Sequence, residues 1–296
     1  MANQAVGRPR YEDDRSPNGP PAKQRPRLVI VELVAAVSSA GKTIDRFHDG
    51  LWGAGQIHPG KPDAGTYTRA FLKRFTVSAY AREPIEAADL GPRVMEIGRF
   101  TMTVAVKGSA EPRTLRGKYM DLWEKSPTGT LELITAAWNH DEPPKIADQL
   151  RFAEVPSIHM ALQARVPITA GVSFELAALQ KLDESVIAQH DGKTWALFNA
   201  DDGILLANHG PVVSGRKALD EYMERHAREM LPPFEKLDLR TLEIDDLGEF
   251  VIEYAGGVVT WKVNEHSGVS LGKGVLIWRR NGAGALQKWR AISMYD

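Results

Sequence analysis

The 296-residue chain contains no cysteine. This absence excludes disulfide bonds, thiolate metal sites and a cysteine nucleophile, and it fits a reducing compartment, so we expect a cytoplasmic protein. Neither sign of charge dominates, because 37 lysines and arginines face 38 aspartates and glutamates. A net charge of −1 gives no field that would attract nucleic acid or an acidic membrane surface. We therefore expect neither of these partners.

Long apolar runs are also missing. The longest, residues 28–37, has about ten residues and contains Glu32, which is too short to span a bilayer. The first residues are polar, so no secretory signal is expected. No His-x-x-x-His or His-Glu-x-x-His pattern occurs, and we expect neither a metal nor another cofactor.

One element of the sequence is present twice. Residues 117–123 read GKYMDLW and residues 272–278 read GKGVLIW, and in each copy a glycine follows the tryptophan by six positions before an apolar strand. Further back, residues 41–47 (GKTIDRF) match residues 192–198 (GKTWALF). An internal repeat of this length predicts two copies of one domain, each ending in a hairpin.

Composition and periodicity divide the chain into four parts. Prolines among charges at the start predict a segment that cannot bury enough apolar surface to fold. The predicted segments are a disordered tail at 1–27, a first domain at 28–142, a linker at 143–172 and a second domain at 173–296.

Within each domain, helical periodicity precedes a series of strands. The first helix is predicted at 28–39 in one copy and from Ser173 in the other. The Asp-Asp-Gly segment at 201–203 is predicted to be a turn. Helices followed by a long antiparallel sheet predict an α+β fold, with the helices packed on one face of a curved sheet.

Four features of the sequence resemble the nuclear transport factor 2-like superfamily. They are the element order, the Ala-Asp-Asp turn, the Gly-Pro-x-x-x-Gly loop at 210–215, and an ending in which Gly-Lys-Tyr is followed by Trp, Gly and Trp-Asn. The closest branch is the SnoaL-like and ketosteroid-isomerase-like one. The resemblance covers both copies and implies two cone-shaped sheets, each wrapped around N-terminal helices over a deep pocket. Because many single-copy relatives pair through the outer face of the sheet, it also implies an intrachain pseudo-dimer. Further oligomerisation stays open.

Strand parity places Tyr119 and Asp121 on one face of a strand. If the preceding hairpin turns at 108–109, Glu96 lies opposite Asp121 and Gly98 lies opposite Tyr119. Two carboxylates close together in an apolar cavity do not both ionise easily, so this pair is predicted to share a proton and to act in acid–base chemistry. The alternative is that one carboxyl bonds a backbone group or an arginine at the pocket rim.

The resemblance adds a role for Asp121. A pocket aspartate of the ketosteroid-isomerase-like pattern has the spacing that Asp121 has to Gly129 and Trp138, which implies that Asp121 stabilises a developing oxyanion. The second copy has Leu276 at the equivalent position. We therefore predict that the first copy keeps the polar pocket and that the second is structural or differently specialised.

The family's usual general base is not matched by an acid in either copy. A replacement in the first copy is His58, because a neutral imidazole works near pH 7; its alternative is a surface-loop histidine. Asp183 lies among apolar positions of a helix of the second copy and either enters the pocket or bonds a neighbouring helix. Glu253 is the counterpart of Glu96.

The predicted function is a cofactor-independent acid–base enzyme acting on a small apolar organic molecule in the first domain. The resemblance leaves isomerase, epoxide hydrolase, cyclase and dehydratase chemistry open, because the fold hosts all of these. The alternative is a non-catalytic ligand-binding or association module. The predicted catalytic residues are Glu96, Asp121, Tyr119 and His58, and the predicted substrate-binding residues are Trp123, Trp138, Phe100, Met102, Asp183 and Glu253.

Overall fold

The computed structural model describes residues 64–109, 111–153, 160–169, 171–230 and 234–295. The tail predicted at 1–27, the helix predicted at 28–39, the repeat segment at 41–47 and the candidate base His58 lie outside these ranges.

Strands dominate the described part of the chain. They are β1 (Phe75–Asp89), β2 (Arg93–Val106), β3 (Arg113–Lys125), β4 (Leu131–His140), β5 (Asn199–Leu206), β6 (Val212–Ser214), β7 (Phe234–Asp246), β8 (Phe250–Val263), β9 (His266–Arg280) and β10 (Leu286–Tyr295). The helices are α1 (Ala64–Arg74), α2 (Val172–Ala188), α3 (Gly192–Ala196) and α4 (Arg216–Arg225), with 3₁₀ turns at Ala147–Leu150 and Met160–Leu162 and a π-helix at His226–Met230.

These strands form two sheets. One has the order β1-β2-β3-β4, and the other has the order β6-β5-β10-β9-β8-β7. In the second sheet β5 runs parallel to β10, while the β7–β10 meander is antiparallel throughout. Helix α2 packs on β7. The molecule is therefore α+β, as the sequence predicts.

The two meanders share their irregularities. β1 departs from its register with β2 between Val77 and Ala79, and β7 departs from β8 between Phe234 and Lys236. A second bulge follows at equivalent places in β1 and β7, and both final hairpins carry one. Because a bulge fixes where a strand bends and twists, both sheets curve at the same points of the meander.

A shared apolar core joins the two sheets. Alternate residues of β2, such as Met95 and Ile97, contact the second sheet, where Ile252 and Tyr254 of β8 belong to the same buried cluster. The intervening residues of β2, including Phe100, face the opposite side and pack on Leu150 and neighbours from the segment after β4. Strands buried on both faces read as nearly continuous apolar runs, which explains the composition of β2 and β8.

Buried polar groups fix the two sheets against each other. The Asn139 amide nitrogen donates to the carbonyl oxygens of Leu206 (2.9 Å) and Ser293 (2.8 Å). Lys118, whose side chain is 1% exposed, donates to the carbonyl of Gly210 at 2.6 Å and to Asp141 at 2.9 Å. Removing one partner from such buried pairs is more costly than the net gain of forming them, so this junction resists sliding.

One local prediction was wrong. Residues 201–203 belong to β5 rather than to a turn. Their pairing with β10 is irregular, since the register jumps between Lys288 and Arg290, and the Asp202 carboxylate accepts hydrogen bonds from Arg279 (2.6 Å). The tertiary partner therefore overrides the local turn preference. Among the described residues, no helix has the length and apolar character needed to cross a membrane.

Candidate functional site

The predicted register of β2 and β3 is confirmed. Glu96 pairs with Asp121, and Gly98 pairs with Tyr119. Both carboxyl residues are buried, with exposures of 4% and 3%. A β-carbon added at Gly98 would lie 2.5 Å from the Tyr119 hydroxyl, so the glycine is what lets this ring lie flat across the strand. The Tyr119 hydroxyl donates to Glu96 Oε1 at 2.6 Å.

Arg82 of β1 completes this cluster, and the sequence analysis did not include it. Its Nη2 donates to Glu96 Oε1 (2.8 Å) and to Asp121 Oδ2 (2.6 Å), and its guanidinium lies 3.8 Å from the centre of the Tyr119 ring. The predicted shared proton was therefore wrong in its physical premise, because a cation bridges the two carboxyls. The alternative reading, a carboxyl held by an arginine, is the arrangement found.

Burial and neighbouring charges shift the pKa values of this cluster in opposite directions. Burial raises the pKa of Asp121, Arg82 lowers it, and Glu96 raises it again. Burial alone would lower the pKa of Arg82, but Asp121 and the neighbouring groups raise it above its ordinary value, so the guanidinium stays charged. Burial also raises the pKa of the Tyr119 phenol. The hydroxyl of Tyr119 is therefore a hydrogen-bond donor and not a phenolate.

The other predicted residues of the first domain share this face. Phe100 is buried, and Met102 and Trp138 are partly buried against the same cluster. Trp123 is half-buried and has the strand parity of Tyr119 and Asp121. These side chains form an apolar floor beside the charged cluster.

A cavity of about 270 Å³ lies in the second sheet's hollow, between α2, α4 and β7–β10. Asp183 and Glu253, both predicted to bind substrate, line it, together with Lys288, which the sequence analysis missed. The prediction that only the first copy keeps a polar pocket was wrong. It rested on Leu276 at the position of Asp121, whereas Asp183 on α2 and Glu253 on β8 both line the second hollow.

The two carboxylate oxygens of Asp183 differ in their hydrogen bonding. It is 4% exposed, and Oδ2 accepts a hydrogen bond from Lys288 Nζ. Oδ1 is buried and has no hydrogen-bond partner among the described residues. The ammonium of Lys288 also lies 5.4 Å from the Trp278 ring and 5.6 Å from the Phe198 ring, within the range of a cation–π contact. The predicted bond to a neighbouring helix was wrong, because the partner is on β10.

Glu253 is the best-satisfied group of the cavity wall. Its Oε1 accepts from Gln180 (2.6 Å) and Thr241 (2.7 Å), and its Oε2 accepts from Trp278 Nε1 (2.8 Å). Burial raises the pKa of Glu253, and the donors from Thr241 and Trp278 oppose that shift. These bonds orient the Trp278 ring beside Lys288. A polar chain therefore runs from Glu253 through Trp278 to Lys288 and Asp183.

No protein-family model and no curated protein matches the chain. Among solved structures, a protein of unknown function from Mycobacterium tuberculosis has 22% identity and a TM-score of 0.37, over 42% of this chain and 70% of that one. A nuclear transport factor 2-like protein with a cystatin-like fold from Novosphingobium aromaticivorans has 16% identity and a TM-score of 0.32, over 40% and 79%. A ketosteroid isomerase-like protein from Erwinia carotovora atroseptica has 17% identity and a TM-score of 0.35, over 41% and 92%.

The chain resembles nuclear transport factor 2-like proteins. Each of the three alignments covers about two fifths of this chain. At these TM-scores the likeness carries no argument about activity, substrate or partner. The described residues also include no group of three or more histidine, aspartate or glutamate side chains placed to hold a metal ion.

Proposed function

We propose that the chain is a tandem of two nuclear transport factor 2-like domains, at 28–142 and 173–296, joined by the linker at 143–172. The matching bulges of the two meanders support a duplication. The apolar core shared by the outer faces of the two sheets supports an intrachain pseudo-dimer of two cones. In this arrangement each sheet covers apolar strand surface of the other, which would otherwise be exposed.

We propose that the protein is a cofactor-independent acid–base enzyme acting on a small, largely apolar organic molecule. The cavity of the second domain supports this function better than the charged cluster of the first. The observation that carries the proposal is Asp183, which lines a cavity of about 270 Å³ and whose buried Oδ1 has no hydrogen-bond partner among the described residues. Burying a polar atom unsatisfied is costly, so a role in binding or chemistry explains why it persists.

The proposed chemistry is proton transfer to and from the bound molecule. Asp183 Oδ1 accepts the proton, while Lys288 holds the other oxygen and fixes the orientation of the carboxylate. The Lys288 ammonium lies beside the reacting region and stabilises negative charge that develops on the substrate. An apolar surrounding strengthens both effects, because the effective dielectric constant is low there. Isomerisation through an enolate begins with such a transfer.

Exchange of carbon-bound protons tests this proposal without knowledge of the product. Compounds with a carbonyl or lactone group that raise the melting temperature of the full chain are incubated with it in D₂O and followed by NMR. We expect the wild type to catalyse deuterium exchange and Asp183→Asn to reduce the rate by about 100-fold or more, as for removal of a general base.

The matched control for this test is Asp201→Asn, because the Asp201 side chain is 91% exposed. It is expected to exchange at the wild-type rate. If Asp183→Asn keeps its activity while Asp121→Asn loses it, the site lies in the first domain and our assignment is wrong.

A non-catalytic ligand-binding module is the second candidate. Two observations favour it: Lys288 already neutralises Asp183, and both oxygens of Glu253 are engaged by donors. This alternative predicts ligands that stabilise the protein but show no deuterium exchange in the wild type.

A further inference from the structure

Two glycines open the hollow of the second sheet. In the first sheet, Phe100 pairs with Gly117 and Tyr119 pairs with Gly98. At the equivalent positions of the second sheet, Gly257 pairs with Gly272 and Gly274 pairs with Ala255. The first sheet thus carries aromatic rings where the second has none. Both rings are buried, with exposures of 7% for Phe100 and 4% for Tyr119. Gly257 and Gly274 both line the cavity, at strand positions that carry aromatic rings in the first sheet.

Glycine leaves a flat, bare backbone at these positions. Around this floor stand the aromatic side chains Trp195, Tyr222 and Trp278. A planar ring lying on exposed backbone and bounded by aromatic faces makes extensive dispersion contacts. The volume lies just below the range of about 300–1,000 Å³ typical of sites for drug-sized ligands. The shape therefore suits one or two rings.

Two residues that line the cavity carry a buried polar atom with no hydrogen-bond partner among the described residues. These atoms are Asp183 Oδ1 and His226 Nδ1, and they set the chemistry of the ligand. A carboxylate oxygen only accepts hydrogen bonds, so the ligand must bring a donor. Because Lys288 already balances the charge of Asp183, that donor belongs to a neutral group such as a hydroxyl or an N–H.

His226 supplies a second, rigidly held contact. Its ring stacks on Tyr222 with a centroid distance of 5.4 Å and an interplanar angle of 12°, and it begins the π-helix that follows α4. Burial and Arg225 lower the pKa of His226, so the ring is neutral near pH 7. A neutral imidazole favours a hydroxyl or carbonyl group of the ligand over a charged group.

We propose that the second-domain cavity binds a neutral, planar compound of one or two rings on the Gly257–Gly274 floor, with a hydroxyl or N–H donated to Asp183 Oδ1 and a second polar substituent at His226 Nδ1. This deepens the proposed function and rests on it for the location of the site. Ligands that bring only hydrogen-bond acceptors leave Asp183 Oδ1 unpaired and are disfavoured.

Titration calorimetry of the full chain with three probes tests the ligand chemistry. The probes are 2-naphthol, 2-methoxynaphthalene and 2,6-dihydroxynaphthalene. We expect 2-naphthol to bind at least about tenfold more tightly than its methyl ether, which cannot donate to Asp183. The dihydroxy compound is expected to bind more tightly than 2-naphthol, and His226→Phe is expected to remove that advantage while keeping the ring stacked on Tyr222.

Gly257→Phe tests the floor. It copies the first sheet, and a β-carbon at Gly257 meets only Leu239 Cδ2, at 3.3 Å. We expect it to weaken 2-naphthol binding by at least about tenfold, since the ring would fill the cavity. The control, Gly282→Ala, adds a methyl group in open space and should bind as the wild type does. If the phenylalanine variant does not fold, Gly257→Val fills part of the same space.

The outcomes separate this inference from the proposed function. Equal affinity for 2-naphthol and its methyl ether, or binding that survives the Gly257 substitutions, overturns the ligand class. Failure of all three probes to bind overturns it as well. If deuterium exchange still depends on Asp183 in either case, the acid–base function stands without this ligand. If naphthol binding behaves as expected but deuterium exchange does not depend on Asp183, the cavity is a binding site and the proposed acid–base function is wrong.

Discussion

Arg82→Leu is expected to lower the free energy of unfolding by about 3–5 kcal/mol, the range seen when one partner is removed from a buried ion pair. The side chain of Arg82 is 7% exposed, and its two carboxylate partners are 5% and 4% exposed. Without the guanidinium, Glu96 and Asp121 remain buried and adjacent with no counter-charge. Urea denaturation at pH 7, followed by circular dichroism, measures the change.

The second sheet provides the matched compensation. Leu239 occupies the position that Arg82 has in the first sheet, and Leu276 occupies the position of Asp121, as the strand registers show. The double variant Arg82→Leu/Asp121→Leu copies that arrangement and should recover most of the lost stability, because replacing a whole buried pair by apolar groups is often neutral. Glu96 keeps the hydrogen bond from Tyr119.

Arg113→Leu is the surface control. Arg113 pairs with Glu111, and the two side chains are 50% and 72% exposed, so the expected change is within about 0.5 kcal/mol. If Arg82→Leu is as mild as this control, the two carboxyls tolerate the loss of their cation. The shared proton predicted from the sequence would then be the better description of the pair.

The sequence carried enough information for the β2–β3 register, because that register depends on local alternation. An apolar pair at Met102 and Leu115 and a glycine opposite each aromatic ring leave one consistent pairing. Arg82 was beyond reach by the same reasoning. It lies on β1, whose register with β2 shifts at two bulges, and each shift moves later side chains relative to their partners.

In the second hollow, the residue that sequence reasoning missed is Lys288. Comparing the copies strand by strand correctly put Leu276 at the place of Asp121, and Asp183 and Glu253 were among the predicted binding residues. A lysine after a hairpin is typical of a solvated strand end, and no periodicity marks it as buried. Only the tertiary fold brings its ammonium to the Asp183 carboxylate.

Lowering the pH from 7.5 to 4.5 is expected to reduce the free energy of unfolding of the wild type, because the buried His140 side chain resists protonation. His140→Phe is expected to remove this part of the reduction. The histidine is 5% exposed, and neither ring nitrogen has a hydrogen-bond partner among the described residues. The pKa of His140 is lowered to about 4, chiefly by burial, with smaller contributions from His209 and Lys118; the Arg116 main chain and Asp141 oppose the shift.

The sign follows from proton uptake. The unfolded chain titrates near the ordinary histidine pKa of about 6.5, so between that value and 4 it binds more protons than the folded chain, and stability falls as pH falls. The shift corresponds to about 3 kcal/mol at full development. The raised pKa of Asp121 and of Glu253 acts in the opposite direction, since the folded chain then binds more protons. That contribution is common to both proteins and cancels in the comparison.

Denaturation midpoints at pH 7.5 and 4.5 therefore separate the two proteins. His140→Phe keeps an aromatic ring beside Phe100, which the imidazole contacts edge-on at 5.8 Å, and between pH 7.5 and 4.5 its stability should fall by about 2–3 kcal/mol less than that of the wild type. His266→Gln, at an exposed position, is expected to keep the wild-type pH dependence. Identical pH dependence in His140→Phe and the wild type would mean that this imidazole is accessible to protons in the folded chain. Because the His140 carbonyl accepts the His209 amide of the second domain at 2.9 Å, the acid sensitivity is built into the junction between the two sheets.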